Sequence, residues 1–114
     1  MSREASDKKV LSFMGFAARA RKIVSGYSTC ILMMEKKKAR LLILSEDLAE
    51  NSLKKMTAAA GKYGTEYRIY GDMESMSHIT GTAGKGIFAV TDGNFAEMIS
   101  KEIDHIRSLD KEVF

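Results

Sequence analysis

Apolar side chains recur along this chain with two periods that alternate. Val10, Leu11, Phe13, Met14, Ala17 and Ala18 are spaced by threes and fours, which predicts an amphipathic helix. Ile23-Val24 follows as a short strand ended by Ser25-Gly26. A second helix is expected from about Tyr27 into the Lys36-Lys37-Lys38 run, where a helix C-terminus favours cations. "RLLILS" is a continuous apolar run of strand length, the pattern of a strand covered on both faces. "EDLAENSLKKMTAAAGKYG" then predicts a third helix, with Leu53, Met56, Ala60 and Tyr63 on one face and Gly64 as its stop. "EYRIYG" alternates like a half-buried strand, and Asp72 is placed to cap a short helix that turns Met73, Met76 and Ile79 inward. After the glycine loop "GTAGKG" comes a buried strand, "IFAVTDG". A last helix carries Phe95, Met98, Ile99, Glu102 and Ile106, with a tail expected to fray after about Arg107.

Helix and strand thus alternate through nine elements. That order predicts the α/β class, with right-handed crossovers placing helices on both faces of a small sheet, a three-layer sandwich. At 114 residues the chain has the length of one domain with one core, residues 1–114.

Composition adds exclusions. A content of 45% hydrophobic and 29% charged residues is that of an ordinary folded domain. No apolar run approaches the roughly 20 residues that span a bilayer, and "MSREASDKKV" has no apolar segment of a secretory signal. Cys30, the single cysteine, leaves no internal disulfide and suits a reducing compartment, so a cytoplasmic location is expected. The net charge of +3 is small, but its distribution is uneven. Residues 1–40 hold ten of the eighteen basic residues against Glu4, Asp7 and Glu35 alone, leaving the rest of the chain acidic. That asymmetry points toward a polyanionic partner.

Candidate catalytic groups are few. His78 and His105 fall in different predicted helices, and neither has a second histidine or cysteine at metal-ligand spacing, so each reads as structural and no metal or cofactor is expected. Cys30 sits among Ile31, Leu32 and Met33 and reads as a core residue. Glu46-Asp47 with Glu50 follows a strand, where α/β proteins often place catalytic groups, but the start of the third helix accounts for the charge. "GTAGKG" fails as a nucleotide-phosphate loop: its glycines are too close, Gly86 follows the lysine in place of Ser or Thr, and it leads into a strand. Its backbone N–H groups and Lys85 can still touch a nucleic-acid backbone. An enzyme is therefore not expected.

The stretch "IVSGYST" offers more. Gly26 turns tightly at a strand end, and Ser25, Ser28 or Thr29 could supply a capping oxygen to the helix that follows. Capping alone would explain these residues. Arg19, Arg21 and Lys22 lie just upstream, however, and a helix start adds unpaired N–H groups. Together they would offer phosphates both charge and directed donors, and Tyr27 could stack on an unpaired base or pack half-buried.

The segments "GFAARARKIVSGYSTCILMMEKKKARLLILSEDLAENSLKKM" and "YRIYGDMESMSHITGTAGKGIFAVTD" resemble the kink-turn-binding ribosomal protein superfamily, in particular its small bacterial members. The similarity spans about residues 8–104. It is carried by Gly26 opening a helix, Ala39-Arg40 leading into "LLILSED", and the Gly81 loop before "IFAVTD". It implies an α/β/α sandwich with a mixed four-stranded sheet, and RNA binding without catalysis. It further implies that the loop entering the second helix and the glycine loop before the final strand clamp a sharply bent RNA. In that superfamily the helix typically starts Gly-Ala-Asn-Glu, with a lysine three residues after the glutamate. Those positions fall here on Ser28, Thr29 and Leu32, which cannot reproduce the bidentate base contacts or the charge.

The expected function is therefore a non-enzymatic protein that binds structured RNA, ribosomal RNA among the candidates, with ribosome association and no DNA specificity or membrane partner. Arg19, Arg21, Lys22 and the backbone around Gly26–Thr29 would hold phosphates, Ser28 and Thr29 would touch base edges, and Thr82 to Lys85, with Gly84, would close the groove. The alternative is a protein-interaction module on the same fold that has lost specific RNA recognition. Its docking patch would include Met33, Met34 and Met73.

Overall fold

A computed structural model describes residues 3–111 of the chain. Nine elements follow in the expected order: α1 (Arg3–Arg19), β1 (Ile23–Ser25), α2 (Tyr27–Glu35), β2 (Leu41–Leu44), α3 (Glu50–Tyr63), β3 (Tyr67–Ile69), α4 (Met73–Thr80), β4 (Ile87–Val90) and α5 (Gly93–Lys111). The strands form one mixed sheet in the order β1-β4-β2-β3. β4 runs antiparallel to both β1 and β2, while β2 and β3 are parallel.

The period-2 geometry of the central strands separates the core into two layers. Leu41, Ile43, Phe88 and Val90 face one side, packed with Val10, Met14, Met76, Ile99, Ile103 and Ile106 from α1, α4 and α5. Leu42, Leu44, Ile87 and Ala89 face the other, packed with Cys30, Met34, Met56 and Ala60 from α2 and α3. The register keeps each layer coherent: Leu41 pairs with Val90 and Ile43 with Phe88 on one face, Leu42 with Ala89 and Leu44 with Ile87 on the other. A strand buried on both faces must read as an unbroken apolar run, which is why "LLIL" and "IFAV" were legible. The result is a three-layer α/β/α sandwich with a mixed four-stranded sheet.

Several boundaries differ from the expected ones. α1 begins at Arg3, well before the apolar stripe, and is tied to α5 by an ion pair from Arg3 to Asp110. α2 stops at Glu35, because Lys37 adopts φ +59°, so Lys36–Lys38 lie beyond the helix instead of in its last turn. α3 begins only at Glu50, since Glu46-Asp47 are held elsewhere. The Glu46 N–H donates to the Gly71 carbonyl at 2.8 Å, and Asp47 Oδ1 accepts from the Met73 N–H at 3.1 Å, at the start of α4. Asp72 caps α4 as expected, accepting from the Ser75 N–H at 2.8 Å. Met98 of α5 is exposed, and α5 remains helical to Lys111, past the Arg107 position where fraying was expected. Among the described residues no helix is long and apolar enough to cross a membrane.

Candidate nucleic-acid interface

β1 ends where a residue with positive φ is required. Gly26 has φ +99° and ψ 153°, a conformation an L side chain rarely adopts, and it precedes the first turn of α2 directly. Its N–H donates to the Ile87 carbonyl at 2.9 Å, fixing the turn to the start of β4. The first bond of the helix runs from the Cys30 N–H to the Gly26 carbonyl at 3.1 Å. No side chain caps α2, which corrects the expectation that Ser25, Ser28 or Thr29 would do so. The N–H groups of the first turn are left without intrahelical acceptors at an exposed position. Ser28 and Thr29 are exposed, and Tyr27 is 45% exposed, pointing away from the core. Leu32 is 42% exposed and lies three and four residues from Thr29 and Ser28, so these three side chains share one outward face.

Below that face the helix is anchored. The Cys30 thiol is fully buried, within sulfur hydrogen-bonding distance of the Val24 carbonyl at 3.9 Å and the Ile87 carbonyl at 3.8 Å. Loss of water pushes its pKa up to about 12, so it is an inert thiol and no nucleophile.

The glycine loop arrives at the same place. Gly81 closes α4 in the left-handed conformation, and the Thr82 N–H donates back to the Ser77 carbonyl at 2.9 Å. Gly84 also has positive φ. Ser77, 4% exposed, then grips Lys85 twice: its hydroxyl donates to the Lys85 carbonyl and accepts from the Lys85 N–H, both at 2.7 Å. This pinning brings the Lys85 ammonium against the helix start. A methyl group placed on Gly26 would lie 3.9 Å from Lys85 Nζ. Gly86 is required by packing, because a Cβ there would meet Ser45 Oγ at 2.5 Å and Met73 Cε at 3.0 Å. Thr82 and Gly84 help line a cavity of about 450 Å³ with Asp47, Glu74, Ser77 and His78. Ser77 had no sequence signal, since its partner lies eight residues away across a loop.

A cation at a helix N-terminus is electrostatically unfavourable by itself, because both carry positive charge. Lys85 has no ion pair among the described residues. The juxtaposition becomes favourable when an anion lies between the ammonium and the free N–H groups.

The other three predicted residues are elsewhere. Arg19 ends α1, Arg21 lies just past it, and Lys22 precedes β1, whereas Gly26 follows it. Lys22 and Gly26 are thus separated by the length of the strand, about 13 Å at 3.3 Å per residue. The Arg19 guanidinium lies over the exposed Phe16 ring, 4.9 Å from its centre. Arg21 sits at φ +59°. The structure therefore brings Lys85 to Gly26 at the start of α2, leaves Thr82 and Gly84 beside Asp47 and Glu74, and sends the basic triplet to the opposite end of the sheet.

The model of the ribosomal protein L7Ae/L30e/S12e/Gadd45 family matches residues 8–100. The chain belongs to that family. Membership makes it a non-enzymatic protein. Within the family it is similar to the RNA-binding protein YlxQ of Bacillus subtilis (strain 168), 32% identical over 91 residues, which cover 80% of this chain and 91% of the relative. It is similar also to the RNA-binding protein YlxQ of Enterococcus faecium, 26% identical over 104 residues, covering 89% and 97% of the two chains. Among solved structures, a protein with unknown function from Bacillus halodurans superposes with a TM-score of 0.81 at 27% identity, covering 84% of this chain and 97% of the other. The Giardia lamblia 15.5kD RNA binding protein superposes at 0.74 with 14% identity, covering 96% and 93%, a likeness of fold. The fold thus persists where little sequence is shared.

Proposed function

We propose that this protein binds structured RNA in the groove between the start of α2 and the Gly81 loop. The observation that carries the proposal is the Lys85 ammonium held against an uncapped helix start. Membership in a ribosomal protein family and the relatives named as RNA-binding proteins support it. The ligand fitted by a cleft between a helix start and a loop is a sharply bent RNA of the kink-turn kind. Phosphates lie on the first-turn N–H groups and Lys85, while Ser28 and Thr29 reach base edges and Tyr27 stacks on an unpaired base. Gly84 lets the loop backbone approach, and Thr82 closes its side. Ribosomal RNA is the proposed natural source, with association at the ribosome in the cytoplasm.

Recognition differs from that of relatives carrying asparagine, glutamate and lysine at this helix start. Each bidentate base contact is worth about 1–3 kcal/mol of discrimination, and Ser28 and Thr29 offer single bonds. Backbone and shape therefore supply more of the selectivity. K85A should lower affinity for a bent RNA by about tenfold to a hundredfold, the worth of one hydrogen bond to a charged group. T29A should lower it about fivefold and reduce the preference for bent over straight RNA. Both affinities would be measured by titration against a labelled RNA. Wild-type affinity in K85A would remove the groove from the interface.

The exposure of Tyr27 and Leu32 on one helix gives the protein-interaction reading its remaining support. Its proposed methionine patch does not form: Met34 is fully buried, and Met33 and Met73 are partly covered.

A further inference from the structure

We propose that the opposite end of the sheet is a second phosphate-contact surface, which holds the backbone of the same RNA outside the groove; this rests on the RNA-binding reading above. The surface is made by the ends of α1 and α2 and the starts of β1 and β2. The Thr91 N–H donates to the Lys22 carbonyl at 2.8 Å, and the Arg40 N–H donates to the Val90 carbonyl at 2.7 Å. Lys22 and Arg40 therefore flank the end of β4, about 10 Å apart at two strand spacings. Arg19 and Arg21 arrive from α1, Lys36 and Lys38 from α2, and all six side chains are exposed.

These charges form no ion pairs among the described residues, where the paired cations are Arg3, Lys54, Arg68, Lys101 and Arg107. Nearby carboxylates are already engaged: Glu35 accepts from the Tyr63 hydroxyl at 3.3 Å, and Asp92 from the Phe95 N–H at 2.9 Å. Glu66 and Glu97 share a shallow cavity with Arg40 and mark the acidic boundary of the patch.

A plainer account is that basic residues complement helix C-terminal dipoles. Arg19 already does this for α1 from its last turn. Arg21 does more than that role requires, because it occupies a left-handed position just past the helix, where glycine is the ordinary residue. Keeping a charge there costs backbone strain. A protein partner would need an apolar centre to its interface; among the described residues Phe16, with the Arg19 guanidinium over its ring, and Tyr67, at the start of β3 beside Leu42, are separate exposed side chains here and do not form one. A phosphate backbone needs only charge.

The test uses a bent RNA carrying either a long or a short flanking stem, titrated at several salt concentrations. The proteins are the wild type, K85A, R21G and the combined variant K22Q/K36Q/K38Q/R40Q. The wild type should favour the long-stem RNA at least tenfold. The combined variant should lose that advantage, and its slope of log affinity against log salt should fall by about 3, at 0.7–0.9 per phosphate contact. It should keep its melting temperature and its affinity for the short-stem RNA, which K85A loses. R21G should bind the long-stem RNA more weakly while melting no lower than the wild type. Wild-type slope and stem dependence in the combined variant would overturn the second surface and leave the groove standing. Failure of the wild type to bind either RNA would overturn both.

Discussion

Arg21 and Lys37 each take φ +59°, and their neighbourhoods show why two similar residues differ in meaning. Lys37 reaches back, its ammonium donating to the Tyr63 carbonyl at 2.6 Å, so it ties the end of α2 to the end of α3. Arg21 has no such tie. Exchanging it for glycine relieves the left-handed strain but frees the unfolded chain, so R21G should be neutral or stabilising by up to about 1 kcal/mol in urea unfolding. Gly86 behaves oppositely. An added methyl would collide with Ser45 Oγ and Met73 Cε, and G86A should lose about 1–3 kcal/mol by the same measurement. Single residues were legible in the sequence where their requirement is local. Gly26 at a strand end and Asp72 before a helix both announce a backbone conformation or a cap. Ser77 and Asp47 were not, because each acts on a partner that only the folded chain brings near: Lys85 for one, the Met73 N–H for the other.

At the scale of elements, the order of helices and strands followed from periodicity because β2 and β4 are buried on both faces and the helices on one. Helix ends were less legible. The lysines after Glu35 look like a favourable last turn, yet Lys37 leaves the helix to reach α3, and Glu46-Asp47 look like a first turn but serve α4. The α4–β4 connection depends on Ser77, whose double bond to Lys85 joins helix and loop. S77A should cost about 1–3 kcal/mol of stability, and it should weaken RNA binding although Ser77 touches no RNA, because Lys85 loses its place. Equal binding by S77A would mean that Lys85 is positioned by something else.

The anchoring of α2 and α1 carries a pH dependence. Burial pushes the Cys30 thiol up to about 12, and burial, then the hydrogen bond to Asp7, pushes the Tyr70 hydroxyl up as well. Both groups are neutral when protonated, and folding favours the protonated form. Their contribution is therefore complete below about pH 9, where a free thiol begins to ionise, and is lost as pH rises through the folded values. Unfolding free energy should fall above that pH, by at most about 1.4 kcal/mol per pH unit for each group. C30A should flatten the first part of the decline.

For the molecule as a whole, the sequence showed that positive charge is concentrated in the first forty residues but not where that charge goes. Proximity in sequence placed Arg19, Arg21 and Lys22 beside Gly26. The three residues of β1 carry them to the other end of the sheet, where Lys36, Lys38 and Arg40 return after α2. In the proposed mode of binding the groove keeps Lys85 and the helix start, while the bulk of the charge would face RNA from the opposite end. Shape would then be read at one end and phosphate at the other, and the two should respond to salt differently.

The central claim is that the groove of Gly26, Ser28, Thr29 and Lys85 recognises bent RNA. The direct measurement is wild-type binding to a kink-turn RNA and to a straight duplex of equal length and charge, each at low and at high salt. The account predicts tighter binding to the kink-turn, with the ratio of affinities preserved as salt rises and both absolute affinities fall. Equal affinity for the two RNAs at both salt concentrations would contradict it, leaving Gly26 and the turn after it as the cap of a helix.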